Sequence, residues 1–508
     1  ILTVQTATSV MGNYTFKLTF EQYSVILVCM AFFFTFLRLH EVKVTEKRVF
    51  HIAGFIVVAL GCGLFTNQII LSDFMEEHQI NIRMFRPMES YQKYGGVLTF
   101  ARSVGYAVVK KPEGYTTAKV DQIIQEYEKK SANEQQSTAK QYPNIITVVN
   151  ETFADIKVLG DFKTNEDYMP YFHSLKKNCV TGYTYASIVG GQTANTEFEL
   201  LTGNTLGFLS AGTTAFQLYI HGQMPSLVSN LKAEGYSGNK AMHPFNPYNY
   251  NRPAVYKDFG FTDFIDKFDF PKNVKRVREY ISDEANVDRI ISEYEKNRKK
   301  TDQPFYMYNM TIQNHSPYDK DAANFKQPIK IESSKYDAEA NRYLNLIKYS
   351  DDSLKQLTGY FEKCKEPTII LFLGDHQPRL TDEFMNKITN GQYQTWSSEQ
   401  MMKRYQVPFV IWANYDIKEQ HIEKTSMNYI QSILTKTAGV KMTGYQRFLN
   451  EVRKEVPTIT SQGYWGKNGK FYQINDKGSP YYGIIQKYRM IQYNMMFDKK
   501  NRRDSFFE

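Results

Sequence analysis

The sequence predicts an α/β fold: a mostly parallel central sheet flanked by helices, with a small antiparallel element near the C-terminus and transmembrane helices in front. Three observations predict it. Near-continuous apolar runs at 144–149 (NIITVV), 305–310 (FYMYNM), 368–373 (TIILFL) and 407–413 (VPFVIWA) are separated by long helical stretches, the pattern of strands buried on both faces. After about residue 455 the chain turns rich in Gly, Tyr and Lys (GYWGKNGKFYQINDKGSPYYG) and then reads as a helix, IIQKYRMIQYNMMF. The first 75 residues are far more apolar than the remainder, although mean hydropathy over the chain is negative.

Two apolar stretches lie in that first part, YSVILVCMAFFFTFL between Glu21 and Arg38 and VFHIAGFIVVALGCGLFTNQIILS between Arg48 and Asp73. A spanning helix needs about 20 mainly apolar residues, which the second stretch meets outright and the first meets with Phe20, Gln22 and Leu39 at the interfaces. Their apolar residues cover all faces rather than one stripe, which argues against buried core helices. Two spans without a small-residue cleavage pattern argue against a signal peptide. The reading is a transmembrane hairpin. Its loop carries Arg38, Lys43, Lys47 and Arg48, and short basic loops stay cytoplasmic, so everything after Asp73 should face outward in a multi-pass protein of the cell membrane. The Ile1 start reads as a cut through a longer membrane region.

VDQIIQEYEKK has helical spacing, and SANEQQSTAKQYP is a polar linker ending at Pro143, which suggests a boundary near residue 141. The expected organisation is a membrane hairpin over 1–75, juxtamembrane helices and linker over 76–141, an extracytoplasmic catalytic α/β domain over 142–455 and a C-terminal subdomain over 456–508. The charge run KKNRRD reads as a solvated tail.

With 508 residues, 42% hydrophobic and 23% charged, the chain is neither disordered nor of low complexity. Its net charge of +9 does not point to nucleic acid, because 53 acidic residues accompany scattered basic ones and an outward-facing domain meets none; it fits work over an anionic lipid surface. Four cysteines, two of them within the spans, form no zinc spacing and allow one outer disulfide at most.

In open α/β sheets ligands bind beyond the carboxyl ends of the strands. The first run leads into Asn150-Glu151-Thr152, the second toward Asn314-His315-Ser316-Pro317, and the third into Gly374-Asp375-His376-Gln377-Pro378. One such residue is usually a capped loop group. Three strand ends with a carboxylate or imidazole shift that expectation, and Glu, Asp and His together suit Mn²⁺, Mg²⁺ or Zn²⁺. VGGQTANTEF, from Val189, sets a Gly-Gly turn before a helix start, with Thr193 near the N-cap and Glu197 in the first turn. Plain capping explains this as well as function does. The functional reading is that a hydroxyl at a helix N-terminus meets a phosphoryl anion and, with a metal to lower its pKa, becomes a nucleophile; Thr193 is preferred over Thr196 because it directly follows the turn.

Taken together, these residues resemble the lipoteichoic acid synthase and phosphoglycerol transferase branch of the alkaline phosphatase and sulfatase superfamily, over roughly 142–415. The resemblance implies that VVNETF holds a metal-binding glutamate at Glu151, GGQTANTEF the nucleophile and metal contact at Thr193, and FLGDHQP the metal pair Asp375 and His376. It implies a substrate-site histidine at His315 in QNHSPY, and in HPFNPYNYNR a second histidine at His243, a substrate contact at Tyr250 and a phosphate-binding arginine at Arg252. Two departures fall where the family touches glycerol or acceptor: Tyr250 replaces a tryptophan and Phe245 an aspartate. The extension YRMIQYNMMFD is similar to relatives that load glycerol phosphate onto a wall polysaccharide. No Cys-x-Pro-x-Arg stretch occurs to make a sulfatase, and the outer cysteines of phosphoethanolamine transferases are missing.

The implied function is a membrane-anchored, metal-dependent glycerol-phosphate transferase of a Gram-positive-type envelope. One divalent ion, Mn²⁺ first, would activate Thr193 against phosphatidylglycerol; the phosphoglyceryl-threonine would pass to a cell-wall polysaccharide or polyglycerol-phosphate (lipoteichoic acid) acceptor, with His315 or His243 as proton carrier. The alternatives are a phosphodiesterase or phosphatase acting on related phosphoesters, and a non-catalytic membrane protein that binds the envelope.

Overall fold

A computed structural model describes residues 48–71, 74–78, 80, 82, 87–107, 109–131, 141–332 and 337–508, with six positions between 27 and 35. The chain forms two compact units, Ile1–Val108 and Val109–Glu508.

In the first unit, helix α1 (Arg48–Phe65) runs on through a π-helical turn at Thr66–Leu71. Its stretch Ile52–Ile70 is the one helix among the described residues long and apolar enough to cross a membrane by length and composition. That stretch lies within the second expected span; most of the first expected span lies outside the described residues.

The second unit is built on an eight-stranded sheet. Its strands are β1 (Asn144–Asn150), β2 (Cys179–Tyr185), β3 (Ser237–Met242), β4 (Asp263–Ile265), β5 (Phe305–Met310), β6 (Thr368–Gly374), β7 (Gln406–Ala413) and β8 (Gln420–Ser426), in the order β8-β2-β7-β6-β1-β5-β3-β4. Only β7 runs against its neighbours; all other pairings are parallel. The four apolar runs are therefore strands of one mostly parallel sheet. Side chains alternate between two cores, as a period of two requires. Ile369, Leu371 and Leu373 of β6 enter one core and Ile370 and Phe372 the other.

Helices α2 (Thr117–Ser131), α3 (Thr193–Thr202), α7 (Met427–Thr437), α8 (Gly444–Glu455) and α9 (Tyr482–Met496) cover the first face. Helices α5 (Asp283–Arg298) and α6 (Ala338–Phe361) cover the second, while the short α4 (Arg252–Asp258) lies against the first. Each fully buried Leu, Ile or Phe on these faces contributes about 1.5–3 kcal/mol, so the two cores hold the sheet rigid beneath the loops at its carboxyl edge.

The Gly- and Tyr-rich stretch folds as the antiparallel strands β9 (Thr458–Thr460), β10 (Gly463–Trp465) and β11 (Phe471–Tyr472), followed by α9. The C-terminal charge run is not a solvated tail. Arg503 pairs with Asp121 of α2 at 2.6 Å, and Phe506 and Phe507 are buried beside Tyr445 and Phe448. The two phenylalanines remove enough apolar surface from water to draw the charged residues before them onto the domain.

Just past β1, the carboxylate of Asp155 accepts hydrogen bonds from Tyr168, Tyr183 and the Lys157 amide. Half-exposed His173 lies 3.8 Å from Asp155 and 2.7 Å from Asp167. Asp155 first, then Asp167, hold its imidazolium, moving its pKa from 6.5 to about 9. A raised pKa stabilises the fold fully below pH 6.5, and that contribution disappears as pH rises through about 9. The thermal midpoint is expected to fall over this window and to fall less in His173→Gln; parallel curves for the two proteins would remove His173 as the cause.

Candidate active site

Three side chains converge beyond the carboxyl ends of β1 and β6. Adjacent strands place Asn150 beside Gly374, so Glu151 and the Asp375-His376 pair leave the sheet side by side. Gly374 is required here: a Cβ on it would lie 1.8 Å from the Phe153 carbonyl oxygen. Gly374→Ala must push these two turns apart and is expected to destabilise the protein by about 3 kcal/mol, read as a lowered thermal midpoint; an unchanged midpoint would mean the turns are not packed this tightly.

Ligand atoms of Glu151, Asp375 and His376 all lie within 4.8 Å of one another, and all three residues are buried. His376 Nε2 is 3.2 Å from Asp375 Oδ2 and 3.8 Å from Glu151 Oε1. The rest of each group is fixed. Asp375 Oδ1 accepts from the amides of Thr152 and His376, Glu151 Oε1 accepts from the Thr152 hydroxyl, and the Glu151 amide donates to Thr311 Oγ1. His376 Nδ1 meets the Gln377 carbonyl at 3.0 Å, so it carries the proton and Nε2 presents a lone pair.

Asp375 Oδ2 and His376 Nε2 are buried without a hydrogen-bond partner. Such atoms are costly, and burial, followed by the Asp375 charge, pushes Glu151 up to about 8. Two carboxylates and an imidazole with inward lone pairs fit a divalent cation, which would reverse that repulsion.

Thr193 stands beside this triad: its Oγ1 donates to Glu151 Oε2 at 3.5 Å. The turn before it has three left-handed residues, Gly190, Gly191 and Gln192 (φ 66°, 141° and 67°). Gln192 is the N-cap and Thr193 the first residue of α3, and no side chain caps the helix. The helix end is thereby open to an anion. Thr193 thus stands next to the N-cap, as expected, whereas Glu197 lies beyond the first turn in which it was expected. The rival Thr196 spends its hydroxyl on the Asp375 carbonyl at 2.8 Å.

Glu197, expected near the helix start, lies one turn below Thr193 on the same face and turns inward. Its Oε1 accepts from Nε and Nη2 of Arg252, at 3.1 and 2.7 Å, with side chains 0% and 1% exposed. Its Oε2 accepts from Tyr256 and Tyr308. Arg252 is thus fastened near Thr193 with Nη1 outside that pair. Tyr250 and Asn251, both left-handed (φ 60° and 59°), make the turn into α4, and the Arg252 guanidinium lies 5.1 Å over the Tyr250 ring.

The two histidines differ. His243, buried after β3, has Nδ1 3.0 Å from the Met310 carbonyl; burial, then Arg252, lowers its pKa well below the usual imidazole value. His315 is half-buried, with Nδ1 2.6 Å from the Ser316 carbonyl, and burial lowers it too. The β5 end supplies no triad atom: Asn314 is buried, donating to Asn150 and Ser350. Sequence reasoning missed Glu197 as the partner of Arg252, and Tyr256 and Tyr308 behind it. The only signal was an acidic residue four positions after Thr193.

The sulfatase family model matches residues 143–440. A protein of Rhizobium meliloti named for cyclic beta-1,2-glucan modification is 30% identical over 433 residues, 84% of this chain and 65% of that protein. The lipoteichoic acid synthase of Staphylococcus saprophyticus is 23% identical over 374 residues, 70% of this chain and 55% of that one; the chain thus spans about two thirds or less of these curated relatives. Among solved structures, the Streptococcus pyogenes phosphoglycerol transferase GacH in complex with sn-glycerol-1-phosphate superposes with TM-score 0.63 at 20% identity, over 79% of this chain and 99% of that one. The lipoteichoic acid synthase LtaP from Listeria monocytogenes gives 0.53 at 19%, over 77% and 96%. These two share the fold.

Proposed function

The chain belongs to the sulfatase family, within the lipoteichoic acid synthase and phosphoglycerol transferase group of the alkaline phosphatase superfamily, and from that premise we propose a membrane-anchored, extracytoplasmic phosphoglycerol transferase. Its donor is phosphatidylglycerol, and its acceptor is a hydroxyl of an envelope polysaccharide or a lipoteichoic acid chain. One observation carries the reading: a buried Glu-Asp-His triad with inward lone pairs beside a threonine that opens a helix, with an arginine fastened one turn away.

Glu151, Asp375 and His376 would hold a divalent cation, Mn²⁺ in this proposal, which supplies Lewis-acid polarisation of the Thr193 hydroxyl and of the phosphoryl group. Thr193 Oγ1 attacks phosphorus, its proton passes to Glu151 Oε2, and the bond from phosphorus to the diacylglycerol oxygen breaks. The leaving oxygen takes a proton from His315, which is partly open to solvent at the rim of the site. In the second half-reaction the acceptor hydroxyl attacks the phosphothreonine, its proton goes to His315 Nε2, and Thr193 recovers its own from Glu151. Arg252 faces the non-bridging phosphate oxygens with the nitrogen that Glu197 does not use, and the open start of α3 adds backbone N–H groups. His243, neutral and buried, orients rather than donates.

The test is product analysis with glycerol-labelled phosphatidylglycerol, with and without acceptor. Diacylglycerol release with label on the acceptor is expected, and EDTA is expected to cut turnover by at least about a hundredfold, with recovery in Mn²⁺. EDTA-insensitive turnover would remove the metal; label found only as free glycerol phosphate at every acceptor concentration would make the protein a phosphodiesterase.

A further inference from the structure

Resting on the metal reading above, we propose that Asp283, at the start of α5, is a positioning residue: through Asn150 and Thr311 it sets the exit of β1, and so the aim of the Glu151 carboxylate at the cation. It touches neither cation nor substrate in this scheme. Acidic residues in the first turn of a helix usually stand in water and favour the helix dipole. Asp283 does not fit that explanation. Ser282 is the N-cap of α5, and its side chain already accepts from the Ala285 amide, while Asp283 is 2% exposed. Its Oδ2 accepts from Asn150 Nδ2 at 2.7 Å and from Ser350 Oγ at 2.6 Å. Burial raises its pKa, and hydrogen bonding with Ser350, Asn150 and Thr311 pulls against that rise. A buried carboxylate held by neutral groups costs stability, so its place calls for a task.

The bonds close into a ring. Asn150 Oδ1 accepts from Asn314 Nδ2 at 3.0 Å, Asn314 Nδ2 also donates to Ser350 Oγ at 2.8 Å, and Ser350 returns to Asp283. Gln313 joins from the side, its Nε2 donating to Asn314 Oδ1 at 3.1 Å and its Oε1 accepting from the Asp283 amide at 3.0 Å. All five residues are at most 2% exposed. They come from the end of β1, the loop after β5, and helices α5 and α6, so the ring locks four elements behind the triad. In a dry interior such linked bonds reinforce one another and resist rearrangement.

Two links run from the ring to Glu151. Asn150 is the residue immediately before it. Thr311, whose amide donates to the Val149 carbonyl at 3.0 Å, accepts from the Glu151 amide at 3.0 Å, and Thr311 is the third side chain acting on the Asp283 carboxylate. The peptide that enters Glu151 is thus held by its N–H and by the side chain before it, and both holds lead to one carboxylate. Residues that orient a metal ligand without touching the metal typically carry about tenfold to a hundredfold in metal affinity.

The experiment measures Mn²⁺ binding by the whole chain in lipid nanodiscs, from the electron paramagnetic resonance signal of free Mn²⁺, alongside thermal midpoints in EDTA. Asp283→Ala is expected to bind Mn²⁺ about tenfold to a hundredfold more weakly than the parent. Asp283→Asn can turn its one oxygen to Asn150 and Ser350, which share Oδ2 in the parent, and is expected to bind nearly as well as the parent. Should Asp283→Ala fail to fold, Asn150→Ala cuts the same link from its other end and is expected to show the same loss. Parental affinity in the folded alanine variant, with only the EDTA midpoint lowered, would make Asp283 a structural residue and overturn the proposal. A loss as large in Asp283→Asn would overturn it too, because charge rather than position would then set the affinity. A parent that binds no Mn²⁺ would strike the metal of the transfer reading and this inference with it. Missing diacylglycerol release, with the order of affinities intact, would strike the transfer reading alone.

Discussion

Thr193→Ala is expected to lower diacylglycerol release from phosphatidylglycerol by at least about a thousandfold, because it removes the only protein group in the proposed scheme that bonds to phosphorus. The loss should be chemical. Thr193 sits at the first position of α3 after a left-handed turn that its own side chain does not cap, so alanine leaves the helix start and the triad in place. Thr193→Ser keeps the hydroxyl and should keep part of the rate. Mass spectrometry of the quenched wild-type enzyme should find glycerol phosphate on the peptide that carries Thr193. Wild-type turnover in Thr193→Ala, or label on Thr196, would refute the assignment. Thr196 is the informative control because its hydroxyl is held by the Asp375 carbonyl.

The second large effect concerns the pair beneath it. Glu197→Ala should destabilise the protein by about 3–5 kcal/mol, since Arg252 would remain charged, buried and without its carboxylate. Deprotonation offers no relief, because a guanidinium keeps its proton even when buried. Glu197→Gln keeps the shape but only one acceptor oxygen, so either Arg252 or the Tyr256–Tyr308 pair loses its partner; it should be less destabilised than Glu197→Ala, with a raised KM for the lipid donor from a loosely held guanidinium. The double variant Glu197→Gln/Arg252→Met should lose less stability than the two single changes summed, because neither charge is stranded. Additive losses in denaturation experiments would mean the two side chains are independent.

Much of this was legible in the sequence for identifiable reasons. Strands buried on both faces must be apolar throughout, so the runs at β1, β5, β6 and β7 announced themselves, and Gly374 before Asp375-His376 marked a turn where backbone approaches backbone. The helix period placed Thr193 and Glu197 on one face, yet nothing local distinguishes an acidic residue that strengthens a helix start from one that turns inward to an arginine 55 positions away. The docked C-terminus was misread for the same reason. Its charges are local and conspicuous, whereas the value of Phe506 and Phe507 depends on the face of α8 waiting for them.

By itself the sequence determined the α/β class and the strand ends that carry a carboxylate or imidazole, because these follow from period, turn chemistry and donor type along the chain, whereas the roles of Thr193 and of the Glu-Asp-His set came from the family resemblance. Only the tertiary structure decided which of them meet. Parallel pairing of β1 with β6 sets Glu151 against Asp375 and His376, the turn into α4 delivers Arg252 to Glu197, and the β5 end contributes a support in Asn314 and a rim in His315 rather than a ligand. Strand order and helix docking are fixed by burial summed over the whole domain, and no local pattern carries that sum.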